Sequence, residues 1–217
     1  MILHDYVLSA SCYKIRLMAA LLDVPLGLVA VDFHPGRAHK TAAFRDLNPA
    51  GTLPVLVDGD LVLTESTAML VYLARMAGPQ WLGAATPESA ARVQQWLAFS
   101  ARLGNSLGLA RLHDMLHFVA DIDAVRHAGV DCLRELEAHL SEARFAGRSF
   151  LEGATPTIAD IACFPNVALA PDGGVSLDDY PAIRLWQRAI RSLDRFIEMP
   201  GIHRLHELKP APDRETA

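Results

Sequence analysis

The chain has 217 residues, 51% of them hydrophobic and 21% charged, with a net charge of −5. That balance excludes a disordered chain, and a mildly acidic protein without a Lys/Arg cluster lacks the electrostatic footprint of a nucleic-acid binder. Three cysteines, Cys12, Cys132 and Cys163, without CxxC spacing, an N-terminus without signal-peptide character and no apolar run near the ~20 residues that span a bilayer point to the reducing cytoplasm and away from a membrane.

In chain order, residues 1 to 8 read as a short strand, with Ile2, Leu3, Tyr6, Val7 and Leu8 as its β-favouring or apolar members. Ser9-Ala10-Ser11 forms a small polar loop. Ile15, Met18, Ala19 and Leu22 recur at helical spacing, so Cys12 to Asp23 reads as a helix stopped by Pro25 and Gly27. Leu28 to Phe33 is a second strand, completing a βαβ unit. A loop with His39 and Lys40 leads to a helical turn, Phe44 to Leu47, ended by Asn48-Pro49. Leu53 to Leu56 is a third strand, and Asp58-Gly59 turns the chain into an antiparallel partner, Leu61 to Leu63. Ser66 to Met76 is a helix.

The strand signals end there. Gly78-Pro79 breaks the chain and Trp81-Leu82-Gly83 reads as a linker. The rest is helical: one long pattern from Glu88 to Phe118, a second from Asp123 to Ala146, a third from Thr157 to Ala168 and a fourth from Ile183 to Leu193. In the fourth, Arg184, Arg188, Arg191 and Arg195 mark a solvated side. The polar, Pro-containing tail after Lys209 reads as frayed. A mixed α/β half followed by an all-helical half marks two domains.

Three places can carry chemistry. Pro54 has no N–H for a sheet ladder, and a cis Leu53-Pro54 bond would turn the Leu53 backbone outward as a docking edge for an extended peptide. Ser66 opens a helix and can cap it; the free N–H groups of that first turn suit a carboxylate, while Glu65 suits an ammonium. Together they match the two charges of an amino-acid head group. Ser9, Ser11 and Cys12 lie where a strand enters a helix, a place that favours an anion such as a thiolate; Ser9 or Ser11 can equally serve only as a cap. His4, His117, His127, His139, His203 and His206 show no metal-ligand grouping, so no metal is expected.

The order of these motifs, Asn48-Pro49-Ala50-Gly51-Thr52-Leu53-Pro54-Val55-Leu56, a hairpin, then Thr64-Glu65-Ser66-Thr67-Ala68-Met69, resembles the glutathione-binding domain of the cytosolic glutathione transferases of bacterial type. Thr157-Ile158-Ala159-Asp160 resembles the capping box that starts a buried helix in that family's second domain. The resemblance covers essentially the whole chain. It implies an α/β plus all-α fold: a thioredoxin-like domain (β-α-β-α-β-β-α) at residues 1–78, a linker at 79–86 and a helical domain at 87–217 that supplies the electrophile side.

The implied activity is attack of the glutathione thiolate on a hydrophobic electrophilic small molecule, a detoxification reaction with glutathione as co-substrate and a homodimer as the working unit. Thr52, Leu53 and Pro54 would hold the cysteinyl part of glutathione, Glu65 and Ser66 the γ-glutamyl end, and His39 and Lys40 the glycyl carboxylate. Ser9 falls on the catalytic serine of the delta, theta and zeta classes. Gly51 stands where the delta class often has a second histidine, and the loop keeps only part of the zeta Ser-Ser-Cys run. Cys12 lies near the beta-class cysteine, so Ser9, Ser11 and Cys12 all stand as candidates. Arg111 and His113 are implied contacts of the electrophile pocket. A glutathione-dependent disulfide reductase and a non-catalytic glutathione-binding protein are the alternative readings on the same fold.

Overall fold

A computed structural model describes residues 1–203; the expected frayed tail and His206 lie outside them. The described residues form four β-strands and eight α-helices: β1 (Ile2–Asp5), α1 (Ala10–Leu21), β2 (Gly27–Ala30), α2 (Ala42–Leu47), β3 (Val55–Asp58), β4 (Leu61–Leu63), α3 (Ser66–Ala77), α4 (Pro87–Leu103), α5 (Leu109–Leu116), α6 (Ile122–Phe145), α7 (Ile158–Ala168) and α8 (Pro181–Arg191). The sheet runs β2-β1-β3-β4, with β1 and β2 parallel and the other neighbours antiparallel. This is the thioredoxin-like order followed by a helical domain.

Element boundaries differ from the sequence reading for local reasons. β1 and β2 are shorter than expected, because their parallel ladder closes at the pair Asp5 and Ala30. β3 starts at Val55 rather than Leu53, since Pro54 has no N–H to donate to the ladder. The single long helix expected from Glu88 to Phe118 is broken into α4 and α5 by a π-helical turn at Gly104–Gly108. The extra residue of such a turn shifts the phase of the helix, and π-turns cluster at functional sites. Pro79–Leu82, expected as an irregular linker, forms a short 3-10 turn that buries Trp81. No helix among the described residues is long and apolar enough to cross a membrane.

α1 is wedged between α3 of its own half and α7 of the helical half. Cys12, Tyr13, Lys14, Ile15, Leu17 and Met18 are consequently all buried, and the Tyr13 hydroxyl donates to the Ile197 carbonyl at 2.6 Å. α7 is buried along its entire length and packs most extensively on α4. Its start is held by Asp160. Asp160 Oδ1 accepts from the Leu151 amide at 2.9 Å and the Trp186 indole at 2.8 Å; Oδ2 accepts from the Thr157 amide at 2.8 Å and its hydroxyl at 3.1 Å. With Thr157 Oγ1 accepting from the Ala159 amide at 3.3 Å, this forms a capping box in the core.

Candidate active site at the seam of the two halves

The two halves meet along a cleft with two arms. The first, about 330 Å³, runs from the start of α1 past the loop of His39 and Lys40 to the end of α5. The second, about 510 Å³, lies between the start of α3 and α4. Ser11, Thr52, Leu53, Gly104 and Asn166 line both, so the arms are continuous.

At the head of the first arm, Ser9 has extended backbone (φ −78°, ψ 119°) and its Oγ accepts from the Cys12 amide at 3.2 Å. The serine therefore caps α1. That bond occupies a lone pair on Oγ; the hydroxyl makes no bond to a backbone acceptor among the described residues and lies beside the Cys12 thiol. Ser11, in the first turn of α1, lines both arms.

The structure does not bring Cys12 to the cleft. The residue has no exposed surface and lines neither arm. Burial pushes its thiol up to about 12, outweighing the lowering influence of the neighbouring Ser9 hydroxyl and Tyr6 backbone. A reactive cysteine needs access and a stabilised thiolate, and Cys12 has neither. The physical reason is helical geometry: α1 turns residue 12 inward, toward the sheet.

Leu53 and Pro54 follow Thr52 at the junction of the arms, and the Leu53-Pro54 peptide bond is cis. Asn48, nearly fully buried, fixes this segment by donating from Nδ2 to the Thr52 carbonyl at 2.9 Å and hydroxyl at 3.0 Å. In the second arm, the sequence reading made Ser66 the cap of α3. The extended residue before the helix is in fact Glu65 (φ −112°, ψ 122°), whose side chain makes no capping bond, and Ser66 is the first helical residue. The first-turn N–H groups and the Ser66 hydroxyl are thus left uncapped by the protein's side chains and face the cleft, with the positive end of the helix dipole behind them.

His39 is buried, stacks on Phe33 with ring centroids 4.3 Å apart, and has an Nδ1 without a partner among the described residues. Its pKa is lowered by burial first and then by Lys40 and Arg37, so at neutral pH the ring is an uncharged hydrogen-bonding group. Lys40 Nζ donates to the Gly51 carbonyl at 2.6 Å. Gly51 has φ +56°, and a Cβ there would stand 2.7 Å from the His39 carbonyl oxygen. The backbone here thus admits only glycine, which explains why no histidine stands at that position.

Arg111 and His113 part company. Arg111 lines the first arm but is buried, with Nε on Asp172 at 3.0 Å and Nη1 on the Leu8 carbonyl at 2.6 Å; only Nη2 lacks a partner. It ties α5 to the loop before Ser9. His113 does not line the cleft: its Nδ1 lies 2.8 Å from the Phe118 carbonyl, at the end of α5. The structure does not bring His113 to the cleft beside Arg111, because the left-handed residue His117 folds the chain back onto it.

Sequence reasoning missed the aromatic wall of the first arm. Tyr6, Phe33 and Phe118 stack in series, at 5.2 Å and 6.0 Å between centroids. Phe118 carried only the signal of an apolar residue ending a helical pattern. Also missed were Lys14 and Asn166. Among the described residues there is no group of His, Cys, Asp and Glu able to hold a metal ion.

Comparison with known proteins gives a consistent picture. Residues 8–76 match the family model described as glutathione S-transferase, N-terminal domain. Glutathione S-transferase 2 of Anopheles gambiae is 32% identical over 181 residues, covering 82% of this chain and 84% of its own. The disulfide-bond oxidoreductase YfcG of Escherichia coli is 31% identical over 190 residues, covering 83% and 85%. A glutathione S-transferase structure from Pseudomonas fluorescens superposes with a TM-score of 0.83 at 31% identity, covering 91% of this chain and 98% of that one.

Proposed function

This chain belongs to the glutathione S-transferase family, and from that premise we propose that it binds glutathione across both arms of the cleft and conjugates its thiolate to a hydrophobic electrophile. The γ-glutamyl end lies at Glu65 and the open start of α3. The cysteinyl backbone pairs with Leu53 beside Thr52 and Pro54, and the glycyl carboxylate meets His39 and Lys40. The sulfur then falls at the start of α1, and the electrophile packs on Tyr6, Phe33 and Phe118 with Arg111 at the far wall. Residues 1–78 act as the glutathione domain, 79–86 as linker and 87–217 as the electrophile side.

The thiolate sulfur attacks an electrophilic carbon, a carbon–sulfur bond forms, and the leaving group departs with its electron pair. A free thiol has a pKa of ~8.5, so lowering it by two units needs about 2.7 kcal/mol of selective thiolate stabilisation. A charge-assisted hydrogen bond from Ser9 supplies about 1.5–3 kcal/mol and the α1 dipole about 0.3–1 kcal/mol more. Ser9 is too weak an acid to act as a base; it donates.

The observation that carries this reading is the pairing of a cleft-lining Ser9, whose hydroxyl hydrogen is free of backbone acceptors, with an inaccessible Cys12. It favours thiolate stabilisation over a protein-cysteine exchange mechanism. A second reading is supported by the Escherichia coli relative: disulfide reduction in which bound glutathione itself attacks the disulfide. Calorimetry with glutathione and parallel assays on an activated aryl halide and a small disulfide test both. Conjugation should dominate. Absence of binding at millimolar glutathione sinks the reading, and turnover of the disulfide alone replaces it with the second.

We also propose a homodimer in the cytoplasm. All three cysteines are free, which supports a reducing compartment, and sedimentation at micromolar concentration should give about twice 23.6 kDa.

A further inference from the structure

Two buried polar side chains in the second arm have no task in the mechanism above. Lys14, one turn along α1 from Ser11, is 3% exposed and lines the arm. Among the described residues it has no carboxylate partner; its one electrostatic neighbour is the buried Cys163 thiol on α7. Burial pushes its ammonium down to about 8. Asn166, on α7, is 5% exposed and lines both arms, and its amide makes no hydrogen bond within the described residues. It abuts the bare backbone of the π-helical turn, where a Cβ on Gly108 would lie 3.0 Å from its Oδ1. Those glycines leave the carboxamide its place.

A largely buried cation without a counter-charge is destabilising, and a largely buried amide without a protein partner is too. Both groups, without a hydrogen-bond partner among the described residues, open onto the same arm. The Glu65 carboxylate and the start of α3 already match the ammonium and carboxylate of an amino-acid head group, so the lysine is a surplus positive charge facing the ligand.

We propose that Lys14 and Asn166 form an anion subsite at the inner end of the cleft that takes a carboxylate of the bound ligand, the lysine as a point charge and the carboxamide as a directional donor. The proposal rests on the glutathione reading for its ligand. The carboxylate has two possible sources: the γ-glutamyl carboxylate reaching past Ser66, or a carboxylate on the acceptor joined at sulfur, since Asn166 borders both arms.

The test compares wild type with Lys14→Met, Lys14→Arg and Asn166→Ala. Calorimetry uses S-methylglutathione, which has no thiol and so separates carboxylate binding from thiolate stabilisation. Kinetics use two aryl halides that differ only by a ring carboxylate. If the source is glutathione, Lys14→Met weakens S-methylglutathione tenfold or more. If the source is the acceptor, S-methylglutathione is unaffected, and kcat/KM falls tenfold or more for the carboxylated halide alone. In either case Lys14→Arg retains most of the effect and Asn166→Ala loses part of it. Changes under twofold throughout, or a change in thiolate titration alone, overturn the subsite. A thermal-shift arm with benzoate against benzamide reads the subsite without glutathione: benzoate should raise the wild-type midpoint and lose that effect in Lys14→Met, and equal responses contradict the proposal. Wild type that ignores S-methylglutathione but responds to benzoate through Lys14 removes the glutathione reading and leaves the subsite standing.

Discussion

Helices α1 and α7 both begin at a hydroxyl-bearing residue in extended conformation, and the chain finishes them in opposite ways. At α7, Thr157 and the buried Asp160 close every nearby donor: two backbone amides, a hydroxyl and the Trp186 indole converge on one carboxylate. At α1, the Ser9 side chain satisfies a single amide, and Ala10 and Ser11 of the first turn border the cleft. The α3 start goes further, with no side-chain cap at all. The closed start contributes stability and the open ones leave donors for an anionic ligand. On the proposed reading, the same fold uses one local device for two ends, decided by whether the anion comes from the chain or from the ligand.

The sharpest way to break this comparison is at the closed end. Asp160→Ala should destabilise the protein by about 3–5 kcal/mol, because it strands four buried donors. Urea denaturation reads it, and S-methylglutathione affinity of the folded fraction should be unchanged. Loss of binding with stability intact would erase the distinction.

Lys14→Met should move stability in the other direction. The Lys14 pKa lies near 8 in the folded protein, against ~10.4 when unfolded. Below pH 8 both states are protonated and the burial penalty is present in full. Between pH 8 and the unfolded value, the folded state has lost its proton and the unfolded state has not, so wild-type stability rises with pH. At neutral pH the variant should gain roughly 3 kcal/mol at 1.36 kcal/mol per unit, with the gap closing toward pH 10.5. Denaturation midpoints at pH 7 and 9.5 check it; a pH-independent gap would mean that the lysine charge is already compensated.

At the open end, Glu65→Ala or Ser66→Ala should weaken glutathione by about 1–3 kcal/mol through lost charge-assisted bonds, measured by calorimetry, with little change in stability. The smallest effect is expected from Cys12→Ala, which should alter kcat/KM less than twofold, since the thiol lies outside both arms.

Much of the fold was legible in the residues. Helical spacing at Ile15, Met18, Ala19 and Leu22 and the Asp58-Gly59 turn before Leu61 each fixed an element locally. What was not legible depended on neighbours distant in sequence. Lys14 lies off the apolar face of α1, which in isolation implies solvent; covering α1 with α3 on one side and α7 on the other buries it. The π-helical turn was hidden because Gly104 and Gly108 interrupt no apolar periodicity, and their role emerges only when Asn166 packs against them. The placing of His113 away from the cleft was not legible because a single left-handed residue, His117, redirects the chain after α5. Motifs made of backbone donors, at Glu65-Ser66 and Ser9, could be read from cap chemistry, but which cap was left open could not.

The central claim, that the open start of α1 stabilises a bound thiolate, is tested most directly by thiolate absorbance at the short-wavelength edge of the ultraviolet, followed against pH for glutathione bound to wild type and to Ser9→Ala. Ser11→Ala and Cys12→Ala serve as references. Wild type should titrate about two units below the free thiol value of ~8.5, and Ser9→Ala should return most of the way to it while binding glutathione almost as well. A Ser9→Ala curve that coincides with wild type, together with loss of turnover and of a trapped mixed disulfide in Cys12→Ala, would contradict the account.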